Sequence, residues 1–493
     1  MTDLEYLALS KPKRFAFRFL EALKRLPSRL AHGLLGLVAA IGRFFKGLWL
    51  EIVDVVQTFL HGDWKTRVSF VVMGFGSLAR GQWLRGLMFL LFQTVFNLYI
   101  LFFGGAYLAK MGTLGTVETV KKGRVTTYGD NSFFILLYGI LTIFFILAFI
   151  YTWRVNVKQN KISQQIIASG HKLKTSRQDL HSLADDQFHK TLLALPMTGI
   201  FAFTVLPIIF MILVAFTNYD KTHQPPGKLF TWVGLDNFQT MLSAGNATYG
   251  STFAQVLFWT LVWAVFATFL NYFLGMLVAI MINKKGIKLK KLWRTILVMT
   301  IAIPQFVSLL YVSKMFAADG LINSYFMKWG WISEPLPFWT NGTWARCTII
   351  GINIWIGIPY LMLIATGILM NIPADLYESA RIDGANAVQT YGKITLPYML
   401  FVTGPYLLTS FIGNINNFNV IYLLTQGKPL SMELTGNAGY TDLLITWLYK
   451  MTVTDTDYKH AAVIGIIVFV ITAVINLVVY NMIPSVKNEE DFQ

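Results

Sequence analysis

Residues 132–153 read SFFILLYGILTIFFILAFIYTW, a run with no charged side chain, and this stretch decides the fold class. A membrane helix needs roughly 20 consecutive apolar residues to cross about 30 Å of hydrocarbon, and the run meets that length. Seven other stretches qualify, near 86–109, 191–217, 252–282, 295–313, 347–370, 398–424 and 460–483. Backbone groups in lipid must bond internally, so each is predicted helical. The expectation is an all-α, polytopic membrane protein of about eight transmembrane helices.

Composition agrees. Of 493 residues, 55% are hydrophobic and only 13% charged, more apolar surface than one globular core can hide. The net charge of +16, from 41 Lys and Arg against 25 Asp and Glu, would suggest nucleic acid in a soluble chain. Here the basic residues flank the apolar runs. With the amino terminus inside, 29 of the 41 fall in the cytoplasmic segments 1–85, 154–190, 283–294, 371–397 and 484–493, and 12 fall outside. That asymmetry follows the positive-inside rule and sets the orientation. Residues 1–30 lack the short apolar core of a cleavable signal and mix Lys11, Lys13, Arg14 and Arg18 with Phe15, Phe17 and Phe19. Cys347 is the only cysteine, which excludes an internal disulfide framework and a cysteine-cluster metal site.

The chain divides on this reading into a basic amphipathic region (1–67), two spans with a basic loop (68–190), a six-span core (191–483) and a tail (484–493). Residues 13–60 hold too many charges to span, among them Lys24, Arg29, Arg43, Lys46, Glu51 and Asp54. They read as interfacial helices on anionic lipid, with a solvated helical domain as the alternative. The loop carrying Trp329, Trp331, Trp339 and Trp344 reads as an aromatic belt or, alternatively, a docking surface for an external partner.

The eight spans contain no Asp, Glu, Lys or Arg, whereas ion-coupled carriers use intramembrane charges as relays. Self-powered transport is disfavoured. No Gly-x4-Gly-Lys-Ser/Thr loop is present, since the nearest run, Gly76 to Gln82, lacks the lysine. If ATP drives the protein, another polypeptide binds it, and the chain needs no cofactor of its own. A membrane-embedded enzyme is the alternative class, but no Ser/His/Asp set, HExxH pattern or paired intramembrane carboxylate supports it.

Between the sixth and seventh spans stands IPADLYESARIDGA (372–385), followed by ITLP (394–397). Pro373 and Asp375 start a short helix, Gly384 turns the chain, and a second short helix is expected to end at Pro397. Such a helix-turn-helix can act as a rigid knob. Its residues closely resemble the cytoplasmic coupling motif of binding-protein-dependent ABC importers, Glu-Ala-Ala-x3-Gly-x9-Ile-x-Leu-Pro. Glu378, Ala380, Gly384, Ile394, Leu396 and Pro397 match at the family spacing, with Asp383 just before the glycine, and Ser379 departs from the pattern.

The resemblance covers roughly 68–493 and is nearest to the larger permease subunit of maltose and maltodextrin importers. It includes Asn416-Asn417-Phe418 and Gly439-Tyr440-Thr441-Asp442-Leu443-Leu444. It implies an ABC importer type I permease fold, a second permease subunit, two ATP-binding subunits and an external sugar-binding protein, with oligosaccharide as cargo. Residues 1–67 lie outside it.

Asn353, Gly357 and Tyr360 lie at i, i+4 and i+7 of the sixth span, and Ser410, Asn414 and Asn417 repeat that spacing in the seventh. Each triplet falls on one helix face. Amides and hydroxyls suit a neutral sugar, Gly357 leaves room for it, and Tyr360 can stack on a pyranose. Polar glue between helices is the alternative. The resemblance places sugar contacts at these six positions. The uncharged lining favours maltodextrin, or a galacto-oligosaccharide or other sugar, over an amino acid or ion.

Overall fold

The computed structural model describes residues 45–480 apart from 123, 244, 246, 247 and 285, together with 36, 39, 40, 42 and 43. The charge pattern of residues 1–30 and the tail 484–493 lie outside these.

Among the described residues seven helices are long and apolar enough to cross a membrane, or up to eight if one bent pair counts as a span. In chain order α1 is Trp83–Lys110, α2 Ser132–Ala168, α3 Phe188–Val214 and α4 Tyr249–Asn283. The bent pair is α5, Lys290–Ala302, and α6, Gln305–Met315. Then follow α7, Gly342–Leu369; α8, Ala374–Ile382; α9, Ala387–Ile415; α10, Phe418–Leu424; α11, Leu444–Val453; and α12, Tyr458–Tyr480. The strands Val120–Lys122 and Val125–Thr127 form an antiparallel hairpin. The all-α, multi-span expectation holds.

Two expected spans differ in detail. The fifth, read as continuous over 295–313, bends by 92° between α5 and α6, where Ile303 is extended and Pro304 caps the next helix. Pro304 lacks the N–H that would continue the ladder, so the chain turns there. The seventh, read as 398–424, begins at Ala387 and stops at Ile415, and α10 starts anew at Phe418. Pro397 does not end a helix. A wide turn over Tyr391–Thr395 absorbs the i−4 clash of Pro397 and carries α9 through it. The same device, Phe201–Val205, precedes Pro207 in α3.

The chain forms two units, residues 1–109 with 138–202, and 110–137 with 203–493. In the first, α1 and α2 pack through Phe92, Phe96 and Tyr99 against Phe145 and Phe149. Beside them Arg80, its side chain 2% exposed, binds Asp63 at 2.6 Å, Asn160 at 2.7 Å and Thr66 at 2.7 Å, so its charge is fully paired. Residues 45–60 are helical, and Glu51 and Asp54 pair with Arg154 and Lys161 of α2. Phe45, Trp49, Ile52 and Leu60 are exposed.

In the second unit two apolar clusters build the core, one joining α4, α6, α7 and α10 and the other α4, α7 and α9. Trp259, Trp263, Leu309, Ile349, Ile352 and Val420 form one, and Tyr272, Met276, Leu361, Met362, Met399 and Leu407 the other. Between them α4 and α7 turn polar.

Candidate functional site

Along α4 the clusters are separated by Thr268 and Asn271 and along α7 by Asn353 and Gly357, while α9, which enters only the second cluster, carries Ser410 and Asn414 beyond Leu407. The result is a polar layer across the unit. Thr268 sits in a wide turn, Phe266–Leu270, that interrupts α4. Such a turn re-aims side chains where a regular helix would not and recurs at functional sites.

Asn414 Nδ2 donates to Thr268 Oγ1 at 3.0 Å, and Asn417 Nδ2 donates to Asn414 Oδ1 at 3.2 Å. Asn417 does not continue the α9 stripe. It lies past the helix break and caps α10, where its Oδ1 accepts the Val420 N–H at 3.3 Å. The break folds it back onto Asn414. Asn271 Nδ2 donates to the Asn353 carbonyl at 3.4 Å, while Asn271 Oδ1, in a residue 5% exposed, has no hydrogen-bond partner among the described residues. A buried acceptor left unpaired costs about 1–3 kcal/mol.

Gly357 does not leave open room. A Cβ there would come within 2.7 Å of Asn271 Cγ, so the glycine lets α4 and α7 close on the Asn271 carboxamide. Ser410 is half-buried on α9, one turn before Asn414. Tyr360, half exposed, turns instead to a cavity of about 370 Å³ at the α5–α6 bend, which it shares with Trp355, Gln305, Ser308 and the chain around Ile303. Helix-free backbone at membrane depth is tolerated where it lines a cavity, which fits this break.

Four residues here escaped the sequence reading: Thr268, Asn271, Gln305 and Ser308. Thr268 and Asn271 were legible as polar positions inside an apolar span. Gln305 was legible only through Pro304. His460, first residue of the eighth stretch, is an ionisable group the reading of the spans passed over; it bonds Asp457 at 2.7 Å and stacks on Tyr249.

The knob forms as a compact turn. Asp383 caps α8, Gly384 adopts φ +71°, and the N–H groups of Gly384 and Ala385 donate to the Arg381 and Ala380 carbonyls at 3.0 and 2.9 Å. Asn386 and Gln389 then cap α9 reciprocally. The Tyr377 hydroxyl meets Thr395 Oγ1 at 3.1 Å and ties α8 to α9. Ala380 is buried and Ile394 and Leu396 half-buried, while Glu378, Asp383, Gly384 and Pro397 are exposed. Ile382 and Val388, 87% and 78% exposed, give the knob an apolar tip that the motif did not announce.

Residues 271–488 match the family described as binding-protein-dependent transport system inner membrane component. The chain is 33% identical over 434 residues to the maltodextrin transport system permease protein MdxF of Bacillus subtilis, covering 86% of this chain and 97% of that one. It is 34% identical to the galactooligosaccharides transport system permease protein GanP of the same species, covering 85% and 97%. Among solved structures, a bacterial alginate ABC transporter in complex with alginate pentasaccharide-bound periplasmic protein aligns with a TM-score of 0.50 at 22% identity, covering 61% of this chain and 96% of that one. At that identity the likeness concerns the fold alone.

Proposed function

This chain belongs to the binding-protein-dependent transport system inner-membrane component family, in its maltodextrin permease branch, and on that premise we propose how it carries its cargo. It is the membrane-spanning permease subunit of an ATP-driven oligosaccharide importer in the cell membrane. It works with a second permease subunit, with two ATP-binding subunits that seat the α8 knob, and with an external sugar-binding protein. Its amino terminus and the knob face the cytoplasm.

The polar layer carries this reading. Asn353, Asn414, Asn417 and Ser410 offer donors and acceptors without charge, as neutral hydroxyls require. Tyr360 and Gln305 line the adjoining cavity, where a pyranose can stack. The likeness to the GanP permease favours a second reading, a galacto-oligosaccharide as cargo. Uptake of labelled maltodextrins and galacto-oligosaccharides by cells with and without the gene separates the two. Gene-dependent uptake of neither would overturn the sugar assignment.

A further inference from the structure

A second cavity, of about 650 Å³, opens beyond the polar layer, between the last turns of α6 and the chain that follows α10. Its wall is fixed by the protein itself. Ser313 Oγ donates to the Leu424 carbonyl at 2.6 Å, and Trp339 Nε1 donates to the Ser313 carbonyl at 2.9 Å. Thr425 and Thr441 share a hydrogen bond of 2.8 Å behind it. The chamber is therefore formed before anything binds.

Its lining joins aromatic rings to positive charge. Tyr311, 71% exposed, and Trp339 supply rings, Gln426 an amide, and Lys314 and Lys428 two ammonium groups. Among the described residues neither ammonium has an acidic or carbonyl partner. Lys314 lies in the last turn of α6, where the helix dipole favours a cation. That accounts for one lysine and leaves Lys428, on a separate segment, unexplained. Helix α6 carries both cavities: Gln305 and Ser308 line the inner one, and Tyr311 and Lys314 the outer, about 9 Å further along at 1.5 Å per residue.

Resting on the importer reading above, we propose that this chamber is a second saccharide site on the route inward, and that its two ammonium groups make it prefer carboxylate-bearing oligosaccharides over neutral chains of equal length. Rings of Tyr and Trp present flat apolar faces to a pyranose. An ammonium hydrogen-bonds a carboxylate more strongly than a hydroxyl, because both partners are charged. The inner layer has no charge, so the outer chamber adds a sorting step that the inner one lacks. An anionic lipid headgroup has the same chemistry, and the experiment separates it.

The complete transporter complex is reconstituted in phosphatidylcholine nanodiscs, and binding of trigalacturonate and maltotriose is compared by saturation-transfer NMR. Trigalacturonate should bind about tenfold more tightly, the gain expected when hydrogen bonds to a charged group replace neutral ones. The pair Lys314→Gln with Lys428→Gln should erase that difference while maltotriose binding changes less than about twofold. The Lys→Arg pair, equal in charge, should keep it and shows that loss in the first pair is not misfolding. Equal binding of the two sugars, or an unchanged preference in the glutamine pair, overturns the proposal. If phosphatidylglycerol in the nanodiscs abolishes trigalacturonate binding, the chamber is a lipid site and the proposal also falls. Maltodextrin uptake by the unaltered complex is scored separately, and its absence would count against the importer reading whichever sugar the chamber binds.

Discussion

The side-chain amide of Asn414 donates to Thr268 Oγ1 at 3.0 Å, joining α9 to the wide turn that interrupts α4. This bond serves both readings of the polar layer, since it can hold helices together or orient an amide toward a sugar. Magnitude separates them. Interhelical bonds in membranes are worth on average about 0.6 kcal/mol, whereas a desolvated hydroxyl left unpaired costs about 1–3 kcal/mol. Asn414→Leu should therefore leave assembly with partner subunits intact and lower oligosaccharide uptake several-fold or more. Thr268→Val should lower uptake less. If uptake falls only in proportion to lost assembly, the layer is structural.

Gly357 and Asn271 form a packing pair, so Gly357→Ala should weaken the α4–α7 contact and lower the amount of assembled complex. The added methyl meets the Asn271 carboxamide, and overpacking of this kind costs about 1–3 kcal/mol. Asn271→Ala removes the obstacle. Assembly measured across the double-mutant cycle should show the second substitution restoring what the first lost. Additive losses would mean that the two side chains do not oppose each other.

How much of this was legible depended on whether local chemistry decided the structure. The span count followed from apolar length, and Gly384 with its flanking short helix followed from turn chemistry. The bend at Pro304 and the break before Asn417 did not, because hydropathy runs through both without interruption. The stripe of Ser410, Asn414 and Asn417 assumed one helix, and its members Asn414 and Asn417 meet because that helix ends. Gly357 was read as space for a ligand when the space belonged to Asn271, a residue 86 positions earlier in sequence whose approach no pattern on α7 encodes.

The knob gives a third prediction. At φ +71° Gly384 occupies left-handed backbone that costs an L-residue about 1–2 kcal/mol, with no neighbour near enough to clash. Gly384→Val should distort the turn between α8 and α9. Ile382→Asp should leave the turn intact and place a charge on the exposed apolar tip. Both variants should reach the membrane at normal abundance and lose transport-linked ATP hydrolysis, measured with partner subunits present. The purified chain alone should hydrolyse no ATP. Normal coupling in Ile382→Asp would show that the tip does not sit in an apolar groove.

The last prediction concerns acid. Burial acts to raise the Asp220 carboxyl, but hydrogen bonds from Lys459, Thr222 and His223 outweigh it and hold the group well below the usual carboxylate range. The Lys459 contact, 2.7 Å long, fastens the chain after α3 to the start of α12, where Tyr219 stacks on Tyr458 at 4.5 Å. Because the folded pKa lies below the unfolded value of about 3.9, the stabilisation is fully present above that value and disappears as pH falls through the folded one. Asp220→Asn should lower the unfolding temperature of the detergent-solubilised protein at pH 7. The gap to the unaltered protein should narrow only below about pH 4, where the carboxylate begins to protonate in the unfolded chain. A gap that stays constant down to pH 2, or one that closes between pH 7 and 5, would assign the effect to other groups.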